Sequence, residues 1–285
     1  MPTFQKLIAQ NQTLKQRAVV PTYRAIARTN VFFPGPRVFA DSFPKAGTHL
    51  LATMLGKLPR MMASGLHRAQ GDYAPGDWTH FERELRTVNR GQYATGHFPH
   101  DPALVELLGR LEFATLVCLR DPRDIAVSAV NYVMAMDSHD LHLRYATAYS
   151  TFDERLMATI VGFDANGYGR GQPDIGSRVG RYAGWLEEPG TCVVRYEELI
   201  GPAGGGTNDD QRTTVARIAE HVGRPLDEAG VERVRRRVWS TRSSTFAGGR
   251  TGGWRDRFQP EHIEAFKRVC GTQLIDLGYE HDLDW

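Results

Sequence analysis

The sequence predicts an α/β fold: an open, mainly parallel sheet with helices on both faces. Strand-like and helix-like stretches alternate along the chain, the pattern of successive βαβ units. Phe113 to Leu119 is an apolar run broken only by Thr115, as suits a strand covered on both faces. The first clear strand runs directly into a tight turn and an apolar helix. With 285 residues, 41% of them hydrophobic, the chain can build one large domain, and residues 1–285 are read as a single unit without internal repeats.

In chain order, residues 1–30 form a basic arm. Met1 to Ala40 carries Lys6, Lys15, Arg17, Arg24, Arg28 and Arg37 and no acidic residue. Two readings fit: weak contact with an anionic membrane surface, or a helix packed by Leu7, Ile8, Leu14 and Val19. The helical spacing of those apolar residues favours the second. A strand follows at Arg37 to Phe43, then the turn Pro44-Lys45-Ala46-Gly47-Thr48. A helix runs from His49 to Leu58, with Leu50, Leu51, Met54 and Leu55 inward. Further strands are expected at Gln92 to His97, Phe113 to Leu119 and Thr191 to Tyr196. Pro122 suits the first turn of a helix reaching Met134, because its missing N–H costs nothing there.

Residues 135–175 lack a steady period and read as an insertion. Gly201 to Asp210 reads as a polar surface loop, followed by helices at Gln211 to Val222 and Asp227 to Val238. Ser240 to Gly253 is loop-like, and Glu261 to Leu277 closes the chain as an amphipathic helix.

Composition excludes several functions. Lysine and arginine total 35 and aspartate and glutamate 33, without the global excess of a nucleic-acid binder. No nucleic-acid partner is expected, and any basic function must be local. Cys118, Cys192 and Cys270 show no CxxC spacing, so reduced thiols in a cytoplasmic protein are expected, without a metal knuckle. No apolar run is long enough to span a bilayer, and the N-terminus lacks a signal-peptide core.

Two stretches carry chemistry. A helix starting after a tight loop presents free N–H groups and the positive end of its dipole, which together cradle phosphate or sulfate. Gly47 permits close backbone approach, Lys45 adds a cation and Thr48 a hydroxyl. The order differs from GxxxxGK[ST], since the lysine precedes the glycine. A plain βα turn with a surface lysine is the alternative. The second stretch is Leu119-Arg120-Asp121-Pro122-Arg123-Asp124-Ile125-Ala126-Val127-Ser128. It puts Arg120 at the carboxyl end of a central strand, where open α/β sheets bind ligands. Arg120 can fork onto a phosphate. Alternatively, Arg120, Asp121, Arg123 and Asp124 pair among themselves. His97 ends a strand between the two stretches, and an imidazole accepts protons near neutral pH. His100 is its nearest competitor, then His49, His67 and His80.

Phe43 to Thr48 resembles the 5′-phosphosulfate loop of sulfotransferases that use 3′-phosphoadenosine-5′-phosphosulfate (PAPS), and Leu119 to Ser128 resembles their 3′-phosphate segment. Val194-Arg195-Tyr196-Glu197-Glu198-Leu199 is similar to the family strand whose tyrosine meets adenine. Gly252-Gly253-Trp254-Arg255-Asp256-Arg257-Phe258 resembles the end of the loop covering the nucleotide, here placed at 240–258. The resemblance implies a P-loop-like sheet and sulfuryl transfer from PAPS to a hydroxyl or amine of a small-molecule acceptor, releasing adenosine 3′,5′-bisphosphate (PAP) without a metal. It implies that Lys45, Ala46, Gly47, Thr48 and His49 hold the phosphosulfate. Arg120 and Ser128 hold the 3′-phosphate, with Arg250 as a further phosphate contact, Tyr196 faces the adenine, and Arg250, Thr251 and Gly252 belong to the loop that closes over the nucleotide. His97 matches the family's general base, and residues 135–175 would shape the acceptor pocket. A homodimer is left open.

Three positions depart from the family. Leu50 replaces the tryptophan that many members stack on adenine, and Thr95 replaces a lysine two residues before the histidine. Ala247-Gly248-Gly249 replaces an Arg-Lys-Gly triplet, leaving Arg250 as the nearest cation. The rival functions are a P-loop nucleotide phosphotransferase and a non-catalytic nucleotide-binding module at a membrane surface.

Overall fold

The computed structural model describes residues 35–74, 76–238 and 250–285. The basic arm and the first part of the 240–258 loop, including Ala247 to Gly249, lie outside the described residues.

Five parallel strands form one sheet: β1 (Arg37–Ser42), β2 (Met62–Ala69), β3 (Gln92–His97), β4 (Phe113–Leu119) and β5 (Thr191–Arg195), in the order β2-β3-β1-β4-β5. From β1 the chain goes to the edge strand β2, returns through β3, and then passes over β1 to β4 and β5 on the other side. The carboxyl ends of β3, β1 and β4 therefore flank the switch point where such sheets open a crevice.

Alternation along the strands feeds two cores. Val38, Ala40, Leu116 and Cys118 pack beneath α1 (Thr48–Leu55), α9 (Tyr196–Ile200), α10 (Asn208–His221) and α11 (Glu228–Val238). Phe39, Ala94, Val117 and Leu119 face the other way. That side is covered by α2 (Thr79–Leu85), α3 (Pro102–Arg110), α4 (Pro122–Ala135), α6 (Phe152–Val161), α7 (Ile175–Gly180) and α12 (Pro260–Asp276). Short helices α5 (His142–Thr147) and α8 (Gly184–Glu187) complete the set. No helix among the described residues is long and apolar enough to cross a membrane.

Four strands lie where the sequence reading puts them, within one residue at each end. The structure adds β2, an edge strand with no β-branched residue, Gly65 at φ 80° and a register shift between Ala63 and His67. None of the usual strand signals marks it. The helix after the turn ends at Leu55 rather than Leu58, with Gly56 as its cap. Gly201 to Asp210 is also more ordered than a plain loop. Pro202–Gly204 forms a 3₁₀ turn, and the Thr207 side chain caps α10 through Asp210 N–H at 3.0 Å. Within 135–175, Thr151 and Glu154 make a capping box that starts α6.

Candidate active site

Beyond β1 the chain turns tightly: Ala46 N–H donates to Phe43 O at 2.9 Å. Lys45 and Gly47 both sit in the left-handed region, at φ 74° and 115°. Helix α1 begins at Thr48 with no side chain capping it and no acidic residue in its first turn. Its amino end is thus left for an anion. Gly47 is required twice over. Its φ disfavours any side chain, and a Cβ there would stand 2.5 Å from Tyr196 Cδ2. Gly47→Ala is expected to lower the melting temperature by several degrees, from backbone strain of about 1–3 kcal/mol plus displacement of Tyr196. An unchanged thermal melt would sink this reading of the turn.

The Lys45 ammonium lies 3.7 Å from the centre of the Tyr132 ring. Burial pushes its pKa down to about 8, and the nearby Arg120 charge adds to the effect. Ser42 and Thr48 share a hydroxyl–hydroxyl bond of 2.5 Å beneath the turn. His49 stands at the start of α1, its pKa lowered by partial loss of solvent around the ring and then by Lys45 and His67.

Arg120 emerges from β4 onto the same crevice. Its Nη1 reaches Lys45 O at 3.5 Å, and Nη2 donates to Arg250 O at 3.1 Å. Its guanidinium covers the buried Tyr196 ring at 4.4 Å, whose edge meets Gly47. Arg120 Nε is buried with no hydrogen-bond partner among the described residues, an open donor beside the anion loop. Ser128 is half-buried on α4, one turn beyond Asp124. Leu50, at the departure from the family tryptophan, is half-buried and packs on the apolar core under α1.

The alternative pairing of the charges around Asp121 is realised in part. Arg123 is buried, binds Asp121 at 2.8 Å and Glu280, and lies between the Trp254 and Trp285 rings at 4.1 and 4.5 Å. Arg120 is 3.8 Å from Asp124. Asp124 itself does something the sequence did not reveal. Its carboxylate accepts Gly252 N–H at 2.8 Å and Trp254 N–H at 2.9 Å, pinning the C-terminal segment to the start of α4. Thr251 N–H and hydroxyl both bond to Gly204 O, at 2.8 and 3.1 Å. The exposed Arg250 side chain pairs with Asp256 at 2.8 Å, so Arg250 faces the site through its backbone.

His97 closes β3 opposite Lys45. Its Nδ1 is 2.8 Å from Ser42 O, an atom that can only accept. Nδ1 therefore carries the hydrogen, and Nε2 keeps its lone pair. Burial lowers the His97 pKa to about 4; the Ser42 carbonyl opposes this, and His67, His49 and Lys45 reinforce it. The ring is thus neutral at pH 7 and able to take a proton. The next residue, Phe98, donates its N–H to buried Asp41 at 2.9 Å, which fixes the strand end. The competitors differ. His100 bonds to Glu188 at 3.1 Å and packs edge-on against Trp185. His80 lies 3.8 Å from Glu84. His67 stands beside His97, ring centroids 5.1 Å apart.

The aromatic residues of α4 and of residues 135–175 divide. Tyr145 is buried and bonds to Thr159 at 2.7 Å, and Phe152 packs on the core. Tyr132 faces Lys45, with the His139 ring edge-on to it at 5.6 Å.

Comparison with known proteins agrees with this architecture. No curated protein matches the sequence. Among solved structures, mouse sulfotransferase SULT7A1 complexed with PAP is similar, with 18% identity over 85% of this chain and 86% of that one and a TM-score of 0.55. Retinol dehydratase with androsterone and inactive cofactor PAP matches at 16% identity, over 86% of this chain and 83% of the other, with TM-score 0.53. Retinol dehydratase with retinol and PAP matches at 17% identity, over 86% and 84%, again at 0.53. These likenesses establish the fold. The model of the sulfotransferase domain matches residues 36–278, nearly the whole described chain, and on that match the protein belongs to the sulfotransferase family.

Proposed function

We propose that this protein transfers a sulfuryl group from PAPS to a hydroxyl or amine of a small-molecule acceptor, with His97 as general base and Lys45 offsetting charge on the leaving oxygen. One observation carries the reading: Lys45, Arg120 and His97 stand at the carboxyl ends of adjacent strands, Arg120 touches the Lys45 backbone, and the Lys45 charge acts on both Arg120 and His97. A doubly anionic nucleotide fits that arrangement. The uncapped start of α1, the side-chain-free surface of Gly47 and the unpartnered Arg120 Nε all suit anionic oxygens. In the solved relatives PAP is bound, with androsterone or retinol in two of them.

PAPS supplies the sulfuryl group and a bisphosphate leaving group. The chain does the rest with fixed groups. The α1 N–H groups and Lys45 present positive charge where the leaving oxygen gathers negative charge. Arg120 and Ser128 hold the far phosphate, with Arg250, Thr251 and Gly252 over the nucleotide and Tyr196 bracing Arg120. His97 Nε2 takes the acceptor proton while Ser42 O keeps the ring in the required tautomer. The acceptor side is formed by Tyr132, His139 and residues 135–175. A cytoplasmic setting suits three buried free thiols.

Calorimetric titration with PAP and ATP tests the reading. PAP is expected to bind at least about tenfold more tightly than ATP, because two separated cationic points match its two phosphate ends. Equal or tighter ATP binding would favour the P-loop phosphotransferase and overturn the proposal.

A further inference from the structure

We infer that His67, held by Thr95, is a second acceptor-side residue of this site, orienting the hydroxyl that His97 deprotonates; this rests on the function proposed above. In the β2–β3 ladder His67 lies abreast of Thr95, and Ala69 abreast of His97. Thr95 and His97, two apart on one strand, share a face of the sheet. Thr95 Oγ1 is 2.9 Å from His67 Nδ1, and the two imidazoles meet edge to face at 87°. One nitrogen of His67 is fixed, then, while Nε2 has no partner among the described residues and the side chain is exposed.

The local backbone is built for this. The register shift between Ala63 and His67, with Gly65 at φ 80°, precedes His67 directly. Such irregularities re-aim side chains beside active sites. β2 is also the sheet edge and pairs directly with β3, the strand that ends at His97. Thr95 occupies the position of the missing lysine, and its hydroxyl holds an imidazole from the neighbouring strand. The charged and titratable groups around the pair are Lys45, His49, Asp72 and Arg68, with the Ser42 carbonyl on His97.

The test uses the full chain, PAPS and 2-naphthol as the probe acceptor. His67→Ala is expected to reduce kcat/KM for 2-naphthol by about tenfold or more, leaving the PAP dissociation constant within about twofold. His67→Gln, which can still bond to Thr95, should recover part of the loss. Thr95→Val should act in the same direction, and the double variant should be no worse than His67→Ala. The His97 imidazole resonance provides a readout that needs no acceptor: its titration midpoint should rise in His67→Ala, because a neighbouring like charge is gone. Unchanged kcat/KM, an equal fall in PAP affinity, or an unmoved His97 midpoint overturns the inference. Failure of the wild type to bind PAP would instead overturn the proposed function and the His67 assignment with it, whereas PAP binding with unchanged kcat/KM in His67→Ala overturns the assignment alone.

Discussion

Replacing His97 with alanine is expected to slow sulfuryl transfer by about a hundredfold to ten-thousandfold, the usual worth of a general base. PAP affinity should stay within about twofold, because no nucleotide contact is assigned to the ring. The geometry makes the separation clean. Nδ1 is committed to Ser42 O, so the side chain has one free nitrogen, and a neutral ring needs no deprotonation before it acts. Its pKa near 4 also sets the acid limb of activity. Turnover should be flat downward from neutral pH and fall only as the ring protonates near pH 4, since a protonated imidazole cannot accept. Wild-type turnover in His97→Ala would remove this residue from the chemistry. An acid limb near pH 6.5 would contradict the low pKa.

Lys45→Ala should be the more damaging change, because it weakens nucleotide binding and chemistry together. Removing a charge-assisted contact in a water-poor site costs about 2–5 kcal/mol, so PAP affinity should fall by roughly thirtyfold or more. The pH dependence identifies the group responsible. In the free protein Lys45 loses its proton near pH 8, whereas a bound anion favours the charged form. Wild-type affinity should therefore decline as pH rises through 8, with proton uptake on binding, and the Lys45→Ala profile should lose that limb. Calorimetry in buffers of different ionisation enthalpy measures the uptake. A wild-type affinity constant from pH 7 to 9.5 would mean that Lys45 does not touch the anion.

Most of the sheet could be read because β4 is a nearly unbroken apolar run and β1, β3 and β5 are short stretches holding Val, Phe, Tyr or Thr, each leading to a turn, a proline or a charged residue. β2 could not, because its edge position and bulge remove both alternation and branched side chains. Lys45, Gly47, His97 and Arg120 could be placed from the sequence because each lies at or just beyond the end of a strand; the chemistry assigned to them is the proposal above. The contacts of Ser42, Asp124 and His67 could not be read: Asp124 was named only in a charge cluster and His67 only as a rival base. Each bonds to a partner remote in sequence: Ser42 to His97, Asp124 to Gly252 and Trp254, His67 to Thr95. Nothing local distinguishes a serine, an aspartate or a histidine with such a partner from one without. Arg250 shows the converse, since its charge suggested a phosphate contact while its carbonyl is what meets Arg120.

The order β3-β1-β4 puts His97, the Lys45 turn and Arg120 at the ends of consecutive strands, spaced by the ~4.8 Å that separates neighbouring strands. That distance belongs to peptide hydrogen bonding and not to any loop. Loops beyond the strand ends can thus be exchanged, lengthened or repacked while the ruler underneath keeps its divisions. On the function proposed here the molecule is modular in a directional sense: the transfer groups, and His67 with them, are ruled into the sheet, and the rest of the acceptor side lies in chain that can vary around it.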